Sequence, residues 1–233
     1  MSTISRRDLL KLAGAATLAP AAPAAPAALA ALAAPAAPAA PAVQRPALQA
    51  LTAAEADLLD AIVARLIPSD TNGPGATEAN AVRYIDRALA GALSGSREAY
   101  RTGLAALDRY CRSSRRRPFT ELSPTEQDSV LIDVETGSAT GANTGFQGSS
   151  SQFFNLVRTH TWQGTFGDPY YGGNANFVGW DLLGYPGVRT YVSPEEQRLN
   201  VTIKSNHKSA YDDAMFNKAT ARRGWSANQR DGD

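Results

Sequence analysis

Apolar residues recur first as the pairs Leu58/Leu59, Ile62/Val63 and Leu66/Ile67, spaced four apart, which lays all six on one stripe of an α-helix. Thr52 stands where a cap residue accepts a free backbone amide, Glu55 three residues later reaches back to it, and Pro68 ends the helix. The turn-rich residues 69–75 lead to a second helix with Val82, Ile85 and Leu89 inward and Arg83, Asp86 and Arg87 outward. Beyond Ser94-Gly95-Ser96, a third helix carries Tyr100, Leu104, Leu107 and Cys111 at helical spacing. A fourth starts at Ser123-Pro124-Thr125-Glu126, with Ser123 as cap and Pro124 in the first helical position. Residues 136–151 are almost wholly Gly, Ser, Thr, Ala and Asn and read as an exposed loop too polar to pack. After them, Phe153, Phe154, Val157 and Thr161 line one side of a fifth helix. No run shows the alternation with period two that paired strands need. The pattern predicts a mostly α fold, an irregular helical bundle with long Gly/aromatic-rich loops, preceded by a disordered Ala/Pro segment.

That leading segment changes the domain count. Ser5-Arg6-Arg7-Asp8-Leu9-Leu10-Lys11 has the form of a twin-arginine export signal, with Arg6 and Arg7 as its arginine pair. Residues 12–19 behind it are only weakly apolar and give way to Ala/Pro repeats, as in a cleaved signal rather than a spanning helix. Half of the 14 prolines fall in this stretch, where they interrupt helix and leave little but alanine methyls to bury. Cleavage has several Ala-x-Ala sites to choose from, one of them after Ala42. Residues 1–42 are therefore assigned to the signal and Ala/Pro segment, 48–192 to one helical domain, and 193–233 to a polar C-terminal tail, partly helical or disordered.

A net charge of +1 argues against nucleic acid, and the dense basic run Arg112, Arg115, Arg116, Arg117 reads as a solvated loop. No later apolar run reaches the length of a membrane span. The twin-arginine route carries folded cargo, often with a cofactor, yet the chain shows no G-x-G-x-x-G, P-loop or H-E-x-x-H string, and one cysteine cannot supply a C-x-x-C-H haem site. An export signal without a cofactor site suggests that the cargo needing it is another subunit. Cys111 reads either as a small buried core residue or as half of a disulfide to another subunit. His160 and His207 are the only histidines, and no nucleophile elbow accompanies them.

From Phe153 the composition shifts, and the strings Asp168-Pro169-Tyr170-Tyr171-Gly172-Gly173-Asn174 and Gly179-Trp180-Asp181-Leu182-Leu183-Gly184-Tyr185-Pro186-Gly187 combine turn formers with rings. Such a segment is a rigid loop core or a recognition surface. Trp180 and Phe166 read as packing; Tyr170, Tyr171 and Asn174 read equally as surface or core. With Asp168 and Trp180, these three form the candidate partner interface. The oxygens of Asp168, Asn174, Asn176 and Asp181 beside Tyr170, Tyr171 and Trp180 also leave open an autonomous carbohydrate- or calcium-binding module.

In these strings, in the first helix running to Ile67-Pro68-Ser69-Asp70, in Tyr84-Ile85-Asp86, in Tyr100-Arg101-Thr102-Gly103-Leu104 and in Phe119-Thr120-Glu121-Leu122-Ser123-Pro124, the chain resembles the gluconate 2-dehydrogenase subunit 3 family, small subunits of membrane-bound sugar and polyol dehydrogenases. The resemblance implies a periplasmic location and a flavoprotein partner of the glucose-methanol-choline type that holds FAD. It also implies, commonly, a multi-haem cytochrome c as third subunit. It implies no catalytic residue, cofactor or metal in this chain, whose part is to carry the export signal and assist maturation of the flavoprotein, with membrane contact only through partners. The long Gly/Ser/Thr loop and the polar tail depart from the family pattern.

Overall fold

The computed structural model describes residues 47–141, 145–213 and 215, so Arg6, Arg7, the Ala/Pro segment and the end of the tail lie outside the described residues. The described residues belong to a unit that begins at Pro46. Their helices are α1 (Ala53–Leu66), α2 (Ala81–Ala90), α3 (Arg97–Arg115), α4 (Pro124–Glu135), α5 (Ser150–Phe166) and the short α6 (Val178–Leu183). No strand forms among the described residues; two isolated bridges, Asp70 with Gly73 and Thr140 with Phe146, pin turns.

Two helix starts follow directly from local chemistry. At α1 the Glu55 amide donates to Thr52 Oγ1 (3.3 Å) while Glu55 Oε2 accepts from the Thr52 amide (2.8 Å). At α4 Ser123 and Glu126 make the same reciprocal pair, with Pro124 at the first position. The Arg65 guanidinium then joins the two helices through a two-pronged pair with Asp128, at 2.7 and 2.8 Å.

α5 runs against all the others and closes most tightly on α2, where Gly164 lies over Ala81 and Tyr84 so closely that a Cβ there would stand 3.0 Å from both. Leu59, Ile62 and Val63 of α1, Ile85 and Leu89 of α2, Leu104 and Leu107 of α3, Val130 and Val134 of α4 and Val157 of α5 fill the space between. Cys111 belongs to this core: it is fully buried, and desolvation pushes its thiol up to about 12. A bridge to another subunit needs an exposed thiolate, so the core reading holds and the intersubunit disulfide does not fit this burial.

Three expectations are corrected. Asp86 was expected to face outward but is 3% exposed, because its carboxylate accepts the amides of Gln49 (2.8 Å), Ala50 (2.9 Å) and Leu51 (2.9 Å) and so fastens the strand of chain entering α1 onto α2. A buried carboxylate is tolerated when several donors satisfy it, which periodicity does not reveal. The described part of the stretch 136–151 does pack: Ala139 and Phe146 are buried, Ser150 Oγ donates to the Val134 carbonyl (2.9 Å), and Phe146 meets the Phe153 ring at 5.8 Å. A single ring among small residues is enough to anchor it. The basic run is likewise not a free loop, since Arg112 and Arg115 end α3 and pair with Asp108 and Asp133, while Arg117 pairs with Glu126.

His160 lies on the buried face of α5, its Nδ1 3.1 Å from the Tyr100 hydroxyl and its ring stacked on that of Tyr100. Desolvation lowers its pKa from the ordinary 6.5. Because the folded pKa is depressed, its contribution to stability is complete above pH 6.5 and is lost as the pH falls from there through the lower folded value. Thermal melts at about pH 7.5 and about pH 5.5 should show a larger acid-induced drop for the parent than for His160→Gln. Equal drops would assign the acid sensitivity to other groups.

Candidate functional site

α5 ends at Phe166, and the backbone then makes a sequence of turns that only particular residues permit. Asp168 caps the turn Pro169–Tyr171 by accepting the Tyr170 amide on Oδ1 (2.9 Å), and Gly172 takes a φ of +100° against the Arg87 side chain. Asn174 is fully buried: its Nδ2 donates to the Gly167 carbonyl (2.9 Å), its Oδ1 accepts the Gly179 amide (2.8 Å), and its own amide donates to the Gly164 carbonyl (2.7 Å). Asn174, Asn176 and Phe177 all adopt left-handed backbone, a costly conformation for Phe177 that the surrounding bonds impose. Trp180 of α6 is 5% exposed and donates from Nε1 to the Phe166 carbonyl (3.0 Å), and Leu182 lies against Gly73 of the turn after α1. The loop is thus nailed to the end of α5 from the inside.

Its outside carries rings. Tyr170 and Tyr171 are 55% and 49% exposed and meet edge to face at 5.3 Å. Beside them opens a groove of about 540 Å³ lined by Phe166, Asp168, Trp180, Leu183, Tyr185 and Pro186, with Leu183 and Tyr185 exposed at its rim. Of the five interface candidates, then, Tyr170 and Tyr171 present a face, Asp168 stands half-buried beside them, and Asn174 and Trp180 are corrected to internal supports. Their polar atoms are aimed at backbone groups of this chain, which leaves nothing to offer a partner.

Of the tail, expected to be polar and partly helical or disordered, the described residues 193–213 hold one helical turn, Ala210–Asp212, and bond to the loop. The Val188 amide donates to the Lys208 carbonyl (3.2 Å) and the Asn206 amide to the Pro186 carbonyl (2.9 Å). Ser209 Oγ (2.6 Å) and the Ala210 amide (2.9 Å) both donate to Asp168. Tyr211 stacks on Tyr170 at 3.8 Å and shares a 2.7 Å hydroxyl pair with Tyr171, which raises the Tyr171 pKa. His207 pairs with Asp181 (2.8 Å) and stacks on Phe177. Sequence reasoning missed these residues, although Ser209-Ala210-Tyr211-Asp212 has capping-box spacing and does form that box.

The histidines meet Tyr100 and Asp181, not a serine or cysteine. The oxygens of Asp168, Asn174 and Asp181 point to different partners, and Tyr170 and Tyr211 stack on each other. A calcium cage or a sugar platform is therefore not favoured. Among the described residues no three His, Cys, Asp or Glu side chains gather as a possible metal site, and no helix is long and apolar enough to cross a membrane.

The described residues thus form a helical domain whose best-built feature is a rigid loop presenting rings. Residues 53–187, more than half of the chain, match the family described as gluconate 2-dehydrogenase subunit 3, and the chain belongs to that family. No curated protein and no solved structure matches it. The matched stretch holds Cys111 and all five loop candidates; Arg6 and Arg7 precede it.

Proposed function

We propose that this chain is the non-catalytic small subunit of a periplasmic FAD-dependent sugar or polyol dehydrogenase complex of gluconate, glucose or fructose type. It docks on the flavoprotein through the Asp168, Tyr170 and Tyr171 face, escorts it through the twin-arginine pathway and supports its maturation. FAD resides in that partner and haem c in a multi-haem cytochrome c third subunit, through which the complex sits on the inner membrane. The observation that carries the reading is the family match over 53–187 together with a loop far more rigidly specified than a solvent-facing loop requires.

Truncating exposed rings costs the free fold little, whereas a central anchor at an interface contributes about 2 kcal/mol or more. Tyr170→Ala with Tyr171→Ala should therefore weaken co-purification of the flavoprotein by tenfold or more while lowering this subunit's melting temperature by only a few degrees. Undiminished binding by the folded double variant would move the interface elsewhere, to the outer faces of the first helices.

The export half of the proposal rests on Arg6 and Arg7. Replacing both by lysine should leave this chain and the flavoprotein together in the cytoplasm, read by fractionation of cells that make both. A flavoprotein that still reaches the periplasm has no need of this escort.

A further inference from the structure

The chain that follows the matched region folds back as a strap over the tyrosine face. Its last turn places three groups against the loop at once: the Ser209 hydroxyl on Asp168 Oδ1, the Ala210 amide on Asp168 Oδ2, and the Tyr211 ring on Tyr170 with its hydroxyl on Tyr171. The turn is shaped for this before it docks, since the Ser209 amide donates to Asp212 Oδ2 (2.9 Å) and the Tyr211 amide to Ser209 Oγ (3.1 Å). Together these contacts spell out what the face recognises: a hydroxyl donor, a main-chain N–H, and an aromatic ring two residues beyond the hydroxyl.

The strap is held without an apolar foundation. Of residues 188–213, Ser209 alone is buried, and Tyr191, Leu199 and Val201 point into solvent at 72%, 92% and 44% exposure. Segments attached by solvent-accessible hydrogen bonds and few buried apolar contacts open locally at far lower cost than the core. The surface beneath behaves oppositely, being fixed by Asn174 and Trp180. A rigid receptor bearing a loosely held internal ligand is the arrangement of a site that exchanges its occupant.

We infer that Asp168, Tyr170 and Tyr171 form a docking site whose resting occupant is the chain's own Ser209-Ala210-Tyr211, and that the flavoprotein takes the site by presenting the same chemistry while the strap lifts. This rests on the docking reading above and adds to it the partner's recognition element and the competition for it. The two occupants exclude each other, because Asp168 already accepts three donors and one face of the Tyr170 ring is covered. A site available for only a fraction of the time binds more weakly by that fraction, so weakening the strap should strengthen binding.

The test uses the full chain and purified flavoprotein. Tyr211→Ala should bind about tenfold more tightly than the parent. Hydrogen exchange should show the Val188 amide, which bonds to Lys208 within the strap, and the Asn206 amide, which ties the strap to Pro186, exchanging faster in the complex than in the free chain; neither bonds to Asp168. Weaker binding by Tyr211→Ala with those amides still protected would make the strap a fixed part of the interface and overturn the inference. Unchanged binding would overturn it too. Failure of the docking face itself reads differently, as full affinity in Tyr170→Ala with Tyr171→Ala, and it removes the competition along with the face.

Discussion

Asp86→Ala is expected to lower the stability of the domain by about 3 kcal/mol and its melting temperature by roughly 6–12 °C. Three amides, those of Gln49, Ala50 and Leu51, lose their acceptor together. A buried donor left unsatisfied costs about 1–3 kcal/mol, and the sum is held down because water reaches Gln49 and Ala50 more readily than Leu51. Asp86→Asn keeps one acceptor oxygen and should lose about half as much. Melting followed by helical circular dichroism measures both, and exchange at the Leu51 amide locates the damage. A loss below about 1 kcal/mol for the alanine variant would mean that water replaces the carboxylate at all three sites.

Gly173→Ala is expected to cost about 2–3 kcal/mol, and more selectively. A Cβ on residue 173 would stand 2.0 Å from the Gly164 carbonyl oxygen, which is main chain of α5 and has no rotamer by which to move aside. The same carbonyl accepts the Asn174 amide, so relief of the collision breaks that bond and lifts the loop from α5. Partner binding should fall with it, and Trp180 emission should shift to the red as the ring loses its cover, while the five long helices keep their circular dichroism. Gly95→Ala, with nothing within 4 Å of the added carbon, serves as the neutral control. An unshifted Trp180 in Gly173→Ala would show that α5 gives way instead of the loop.

These two variants also divide what could be read along the chain from what could not. The start of α1 at Thr52 and of α4 at Ser123, the apolar stripes of α1 and α3, and the face of α5 all arise from groups three or four residues apart, and periodicity and capping act over that range. The same reading placed Asp86 in solvent, because charge type is a statement about the average environment and its partners lie 35 to 37 residues away. Asn174 was legible as a turn residue but not as the internal pin of the loop, since its partners at Gly164, Gly167 and Gly179 are set by where α5 ends. α6 was invisible: six residues give too little of a helical period to register.

The amino-acid sequence by itself determined the helical class, the five long helices, the caps of α1 and α4, the family, and the presence of a loop too rich in rings and glycines to be a mere connection. Tertiary structure alone decided which of those rings look outward. It turned Asn174 and Trp180 into supports, placed Cys111 in the core, and brought Tyr211 across 41 residues of sequence to lie on Tyr170. The physical reason is range. Local hydrogen bonds and helical period are encoded within a few residues, whereas burial of a polar group and the stacking of distant rings exist only once the helices have packed and the loop has a floor to stand on.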